Sequence, residues 1–235
     1  MSRIARVLEV EVMDSAADAE AYDSMDHELV NRLFVDDFLA AAGGNAPSVL
    51  AEILDLGTGT AHIPIELCRR TPLARVLAVD LAASMIELAE RNVAQAGLAA
   101  QIRLDRVDAK RLPYADGRFS SVISNSIVHH IPEPRDVLAG ACRVLTRGGL
   151  LFVRDLLRPA DDRAVRELVD LYAADCDARQ RQLFDDSLRA ALSLDEIRSL
   201  CAALGFDPAT VRQTSDRHWT WTMRKNGEIG VGGPH

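Results

Sequence analysis

Between positions 53 and 62 the chain reads ILDLGTGTAH, an apolar run that meets one acid and then two glycines separated by a threonine. Glycines at that spacing let a turn present backbone N–H groups to a ligand at the start of a helix. Asp80 follows 21 residues after Gly59, at the end of a second apolar run. An acid placed there commonly accepts hydrogen bonds from ribose hydroxyls. Gly57, Gly59 and Asp80 therefore point to an adenosine-containing ligand without saying which one.

Two residues discriminate. A dinucleotide-binding turn in this register carries a third glycine at position 62, and His62 stands there instead. Asp55 would also set a carboxylate beside a pyrophosphate, an unfavourable pairing in a partly buried site. S-adenosylmethionine (SAM) has no phosphate and carries an ammonium and a sulfonium, which an acid at the turn suits. An NAD-linked oxidoreductase is the alternative that Asp55 and His62 disfavour. Each acid also has a plain structural reading: Asp55 or Asp80 as a helix cap, Asp108 as the cap of a turn.

These residues need elements to position them. VLAEILDLG (49–57) reads as a buried strand, followed by a helix at about 61–70. RVLAVDL (75–81) is a second strand, and SMIELAERNVAQAG (84–97) a helix ending at a glycine. AQIRLDRVD (100–108) alternates apolar and polar side chains, as an outer strand does. FSSVISNS (119–126), a helix over 134–146 and RGGLLFVRDLL (147–157) complete the series. Strands alternating with helices predict an α/β, doubly wound, mostly parallel sheet. Before it, Leu29, Leu33, Phe34 and Phe38 recur at helical spacing over 26–42. After it, 161–183 and 193–205 read as helices, and 206–225 as two short strands with a turn near Ser215 and Asp216. Residues 226–235 read as a tail, and no linker divides the chain, so one domain is expected over 1–235.

Taken in order, four stretches resemble the class I SAM-dependent methyltransferases, particularly the broad methyltransferase type 11 group that includes ubiquinone/menaquinone-biosynthesis methyltransferases. They are ILDLGTGTA (53–61), VLAVDLAASMIELAERN (76–92), RVDAKRLPYADGRFSSVISNSIVHHIPEP (106–134) and RVLTRGGLLFVRD (143–155). The resemblance implies a Rossmann-like, seven-stranded sheet with a C-terminal antiparallel hairpin and an N-terminal helical lid over about 1–45. It implies SAM as cofactor, with Gly57, Thr58 and Gly59 against its methionine portion and Asp55 near its amino group. Asp80 would bind the ribose, with Leu81 and Met85 packed nearby. Asp108 would accept from the adenine amino group beside Ala109, and Asn125 and Ser126 would line the far side. Tyr22 and Met25 (with His27) would close over the cofactor. The commonest pattern has a glycine after GTGT; Ala61 and His62 stand there, which predicts a less open turn.

Methyl transfer from a sulfonium is an in-line displacement in which positioning does much of the work. A base helps only where the acceptor must lose a proton, a task that suits histidine. His129 and His130 follow the fourth strand, and Asp155 ends the fifth beside Arg154, so these rim residues are candidates for base or substrate contact, against a structural role for the histidine pair and an internal ion pair for Arg154 and Asp155. His218, in SDRHWTWT (215–222), is a further candidate, against the plainer reading of an aromatic hairpin face. No HExxH or GxSxG pattern occurs and the histidines are not spaced as ligands, so no metal is expected.

The bulk properties bound the partners. A formal net charge of −8 over 235 residues gives no footprint for nucleic acid. Four scattered cysteines with no CxxC read as reduced thiols. No apolar run approaches the ~20 residues of a membrane span, and the N-terminus lacks the apolar core of a signal peptide. A cytoplasmic protein with a small-molecule methyl acceptor is the expectation. A methyltransferase of RNA or protein and a non-catalytic SAM-binding protein stay open as alternatives, and oligomeric state does not follow from the sequence.

Overall fold

In the computed structural model, residues 4–9, 19–20, 23, 28–43, 48 and 50–225 are described. Tyr22, Met25, His27 and the tail at 226–235 lie outside them.

The five parallel strands form where the apolar runs predict them. They are β1 (Ile53–Leu56), β2 (Val76–Asp80), β3 (Ile102–Arg106), β4 (Phe119–Asn125) and β5 (Leu145–Leu156). Strands such as ILDL have every side chain buried, because helices cover both faces of a parallel sheet. β3 mixes buried with exposed positions, as its place at the sheet edge requires. The strand order is β3-β2-β1-β4-β5-β7-β6, where β6 (Val211–Gln213) and β7 (His218–Arg224) are the C-terminal pair. β7 lies antiparallel between β5 and β6, so the last strand of the chain is inserted beside the core and its hairpin partner takes the edge. The order reverses between β1 and β4, and the crevice for a ligand in an open α/β sheet lies at the carboxyl ends of the strands flanking such a point.

Helices α1 (Glu28–Ala42), α2 (His62–Arg70) and α3 (Ala83–Gln95) cover one face; α4 (Arg135–Val144) and α7 (Leu194–Ala203) cover the other. Strand alternation divides the core between them: Ile53, Ala78, Ile123 and Phe152 face the first group, and Leu54, Val79, Val122 and Leu151 face the second. Trp219 and Trp221 are fully buried on the second face, with Phe206 edge-on to Trp221 at 5.7 Å. The tryptophans of the last strand are thus core residues and not part of a loop reaching over the rim.

The helix over 28–42 packs on the sheet: Phe34 and Phe38 lie edge-on against Phe152 of β5 at 5.1 and 5.9 Å, and Arg154 of β5 reaches Asp37 at 2.5 Å. Its buried stripe is Phe34, Val35, Phe38 and Ala42, while Leu29 and Leu33 face outward. The single helix expected over 161–183 is two, α5 (Asp162–Tyr172) and α6 (Ala178–Ala190). Asp177 ends the continuity by forming a capping box with Gln180, which starts α6 afresh.

Candidate cofactor cleft and its rim

The cleft opens at the carboxyl ends of β1, β2 and β4, bounded by the turns that follow them. Its first wall is the glycine turn. Gly57 and Gly59 both have positive φ, 68° and 55°, in the left-handed region that glycine enters without strain. Gly57 is constrained a second way, since a Cβ there would lie 1.9 Å from Ile127 Cγ2. The N–H groups of Gly57 and Thr58 both donate to Val79 O at 2.9 Å, which ties the turn to β2. Ala61 continues the turn at φ 66°, a conformation costly for an L-residue, and α2 then starts with no side-chain cap. The absence of a cap removes the plain structural explanation for Asp55.

Asp80 forms the second wall. Its Oδ2 accepts from Gly59 N at 2.9 Å and its Oδ1 from Ala82 N at 3.0 Å. One carboxylate therefore fastens the glycine turn to the loop that opens α3. Burial raises its pKa above the ordinary carboxylate range, opposed by those backbone hydrogen bonds. Leu81 and Met85 line the cleft beside it. On the third wall Asp108 accepts from Lys110 N at 2.9 Å, so it caps its own short turn while facing the cleft with Ala109. On the fourth, Asn125 and Ser126 line the cleft where β4 ends, with Ser126 at φ 60° and Asn125 Oδ1 buried without a hydrogen-bond partner.

Asp55 sits behind the wall. It shares the strand face of Ile53, is 2 % exposed, and its Oδ2 has no hydrogen-bond partner. Burial, together with the nearby charge of Asp80, pushes its carboxyl up to about 7. Thr58 also stands off the cleft surface, its buried hydroxyl beside the Asp55 carboxylate. His62 does not reach the cleft: its Nε2 lies 2.7 Å from Asp23 Oδ1, which also accepts from Asn92 Nδ2 at 2.9 Å. The residue in the third-glycine register thus pins the N-terminal segment to α2 and α3.

The histidine pair divides. His130 lines the cleft, whereas His129 is buried behind it. His129 Nδ1 lies 2.6 Å from Asp155 Oδ1, and Asp155 also accepts from Val128 N and Leu156 N at 2.6 and 2.7 Å. Burial alone would lower the His129 pKa, but Asp155 and Glu9 outweigh it and raise it. Asp155 is held below the usual carboxylate range because His129 and the two backbone N–H groups offset its burial. His218 stands apart from the cleft lining at the start of β7, with Nδ1 2.9 Å from Ser215 Oγ. Burial and the neighbouring Arg217 and Arg154 push it down to about 4, so it is neutral at pH 7.

Residues without a sequence signal complete the rim. Ile127 fills the space over Gly57, and Val107, Lys110 and Ile131 also line the cleft. Arg6 donates to the carbonyls of His129, Ile131, Pro132 and Ala190, so the strap 4–9 lies across the loop after β4. Nothing local in IARVLE announces that placement.

A cation-bearing adenosine ligand fits this donor set: buried acceptors without partners at Asp55 and Asn125, carboxylates at Asp80 and Asp108, and a turn with no Cβ at its closest point. Residues 53–149 match the family described as methyltransferase domain. The chain is 32% identical over 123 residues to a ubiquinone/menaquinone biosynthesis C-methyltransferase of Desulfotalea psychrophila, covering 52% of this chain and 48% of that protein. It is 32% identical over 191 residues to the malonyl-[acyl-carrier protein] O-methyltransferase of Geobacter sulfurreducens, covering 81% of this chain and 66% of the relative. Residues 53–149 belong to the methyltransferase-domain family.

Solved structures share the fold of this methyltransferase domain. A putative SAM-dependent methyltransferase from Methanococcus maripaludis superposes with a TM-score of 0.63 at 16% identity, over 96% of this chain and 100% of that one. The plantazolicin methyltransferase BpumL, solved with a desmethyl substrate analogue and S-adenosylhomocysteine, gives 0.69 at 14% identity, over 89% and 91%. The chain spans about half the length of the first of these curated relatives and two-thirds of the second. No helix among the described residues is long and apolar enough to cross a membrane.

Proposed function

We propose that this domain transfers the SAM methyl group to an oxygen, nitrogen or carbon atom of a small molecule. The observation that carries the reading is the pairing of Asp80 with the glycine turn. The same carboxylate that faces the cleft holds Gly59 N, so the turn and the ribose-binding acid are one preorganised unit. Asp80 and Asp108 take the ribose and adenine ends, with Leu81, Met85 and Ala109 packed along them. Asn125 and Ser126 close the far side. Gly57 and Gly59 give the methionine portion its backbone approach, and Asp55 supplies negative charge from behind the turn, with Thr58 beside it. SAM, when bound, supplies the electrophilic methyl group.

His130 is the histidine that faces the cleft, and it is the group placed to contact the acceptor or take its proton. His129 and Asp155 serve as positioning residues: their buried pair holds the loop that carries His130. His218 contributes to the hairpin turn. Tyr22 and Met25 are the residues we assign to close over the cofactor. The charge of −8 favours a small molecule over RNA as acceptor.

The test is methyl transfer from labelled SAM to candidate metabolites and to cell extract. Label among small molecules is expected. Label confined to the protein or RNA fraction would reverse the substrate class. No label in any fraction, with SAM bound, would favour a non-catalytic SAM-binding protein.

A further inference from the structure

Beside the cleft, three metal-ligating side chains from distant parts of the chain converge. Glu9 Oε1 lies 3.0 Å from His130 Nδ1 and 3.5 Å from His129 Nε2. One ligand atom from each residue falls within 4.8 Å of the others. We propose that Glu9, His129 and His130 form a binding site for a divalent transition-metal ion of the zinc type, at the rim of the cofactor cleft.

Geometry is the first argument. Metal–ligand bonds of about 2.1 Å meeting at about 90–110° separate the ligand atoms by roughly 3.0–3.4 Å. The Glu9–His130 contact falls at that spacing and the Glu9–His129 contact just beyond it, so a metal would enter by side-chain movements.

The second argument is orientation. A metal-bound histidine characteristically gives its other ring N–H to a carboxylate, which fixes the tautomer and aims the free nitrogen. His129 has that partner: Asp155 Oδ1 lies 2.6 Å from Nδ1, leaving Nε2 directed towards Glu9. Asp155 is itself fastened by two backbone N–H groups, so the imidazole is preset and not merely free to turn.

Charge and composition set the class of ion. Glu9 and Asp155 bring two carboxylates to His129, with the Arg6 guanidinium also near it. Two imidazoles and one carboxylate suit zinc, iron, cobalt or nickel, whereas magnesium and calcium prefer all-oxygen sets. Three protein ligands leave a coordination position open, as in catalytic rather than structural zinc sites. Because His130 also lines the cleft, the site adjoins the space that the cofactor would occupy.

The consequence is a clamp. A metal would tie the strap 4–9 to the loop after β4, where Arg6 already holds it. Ligation and proton transfer at His130 Nδ1 exclude each other, so the metal-loaded protein would use His130 as a ligand. The site rests on the geometry of these four residues and stands whatever the methyl acceptor is. Sequence spacing misses it because Glu9 is far from the HH pair in the chain.

The test uses tag-free full-length protein stripped with chelator, titrated with Zn2+, Co2+ and Mg2+ by calorimetry, with the visible spectrum of the Co2+ form and the thermal midpoint recorded. Saturable binding of one Zn2+ or Co2+ per chain, a raised midpoint and no response to Mg2+ are expected. Glu9→Gln, which keeps the side-chain size, should weaken Zn2+ binding at least tenfold, and His130→Ala should do the same, while His62→Ala should not. Absence of saturable Zn2+ binding would overturn the proposal, and so would affinity unchanged in both Glu9→Gln and His130→Ala. Should His130→Ala fail to fold, Glu9→Gln alone decides the matter.

Discussion

Asp55 offers the sharpest test of how the cofactor cleft is built. Burial and the charge of Asp80 carry its carboxyl from an ordinary 3.8 to about 7. That interval spans roughly three pH units, each worth about 1.4 kcal/mol, so holding Asp55 ionised in the cofactor-free fold costs about 4 kcal/mol. The sign follows from proton binding. Between pH 4 and 7 the unfolded chain has lost this proton and the folded chain keeps it, so stability falls as pH rises. Above about 7 both forms are ionised and the loss is complete. Asp55→Asn removes this dependence. The new carboxamide is buried where Oδ2 has no partner, which returns about 1–3 kcal/mol of the gain. Urea unfolding without cofactor should therefore find the variant more stable than the parent at pH 8, by about 1–3 kcal/mol. The difference between the two proteins should widen by roughly 3 kcal/mol from pH 5 to pH 8. A difference that stays constant across that range would refute the reasoning, whatever its size. With SAM present the sign reverses, because the cation favours ionised Asp55. The variant should bind SAM more weakly, and the parent should release a proton on binding near pH 6.5, read by calorimetry in two buffers.

Asp80→Ala should weaken SAM binding by about 1.5–3 kcal/mol, as for hydrogen bonds to a charged group, and also loosen the turn that Asp80 holds at Gly59. Equal affinity in a folded variant would remove Asp80 from the site. Gly57→Ala meets both the positive φ, worth about 1–2 kcal/mol, and the overlap with Ile127 Cγ2. Denaturant unfolding should show a clear loss, smaller when Ile127→Ala is also present, and strict additivity would exclude the overlap. Burial pushes the Cys68 and Cys142 thiols up to about 11 and about 12. Cys176 should therefore react first with a thiol reagent at pH 8, as mass spectrometry of the labelled peptides would show.

Periodicity and punctuation determine most of this fold. Runs such as ILDL and VLAVD can be satisfied only between two helical layers, and the order of the motifs ranks the strands. Asp55, Gly57, Gly59 and Asp80 are legible because backbone conformation and charge leave few alternatives at those positions. The apolar spacing of 26–42 also reads as a helix, but which side is buried is not local information. Phe152 and Arg154 of β5, far along the chain, select Phe34 and Phe38 over Leu29 and Leu33. The same holds at the rim. The HH pair is visible as two adjacent histidines, yet only packing makes one a buried partner of Asp155 and the other a cleft wall. The third-glycine register is read from the sequence as a point against dinucleotides, and the tertiary structure gives His62 its work by bringing Asp23 to it. Glu9 belongs to the cluster solely because the strap crosses the loop after β4. Local sequence sets what each segment can be; burial and charge pairing between remote segments decide which of its faces is used.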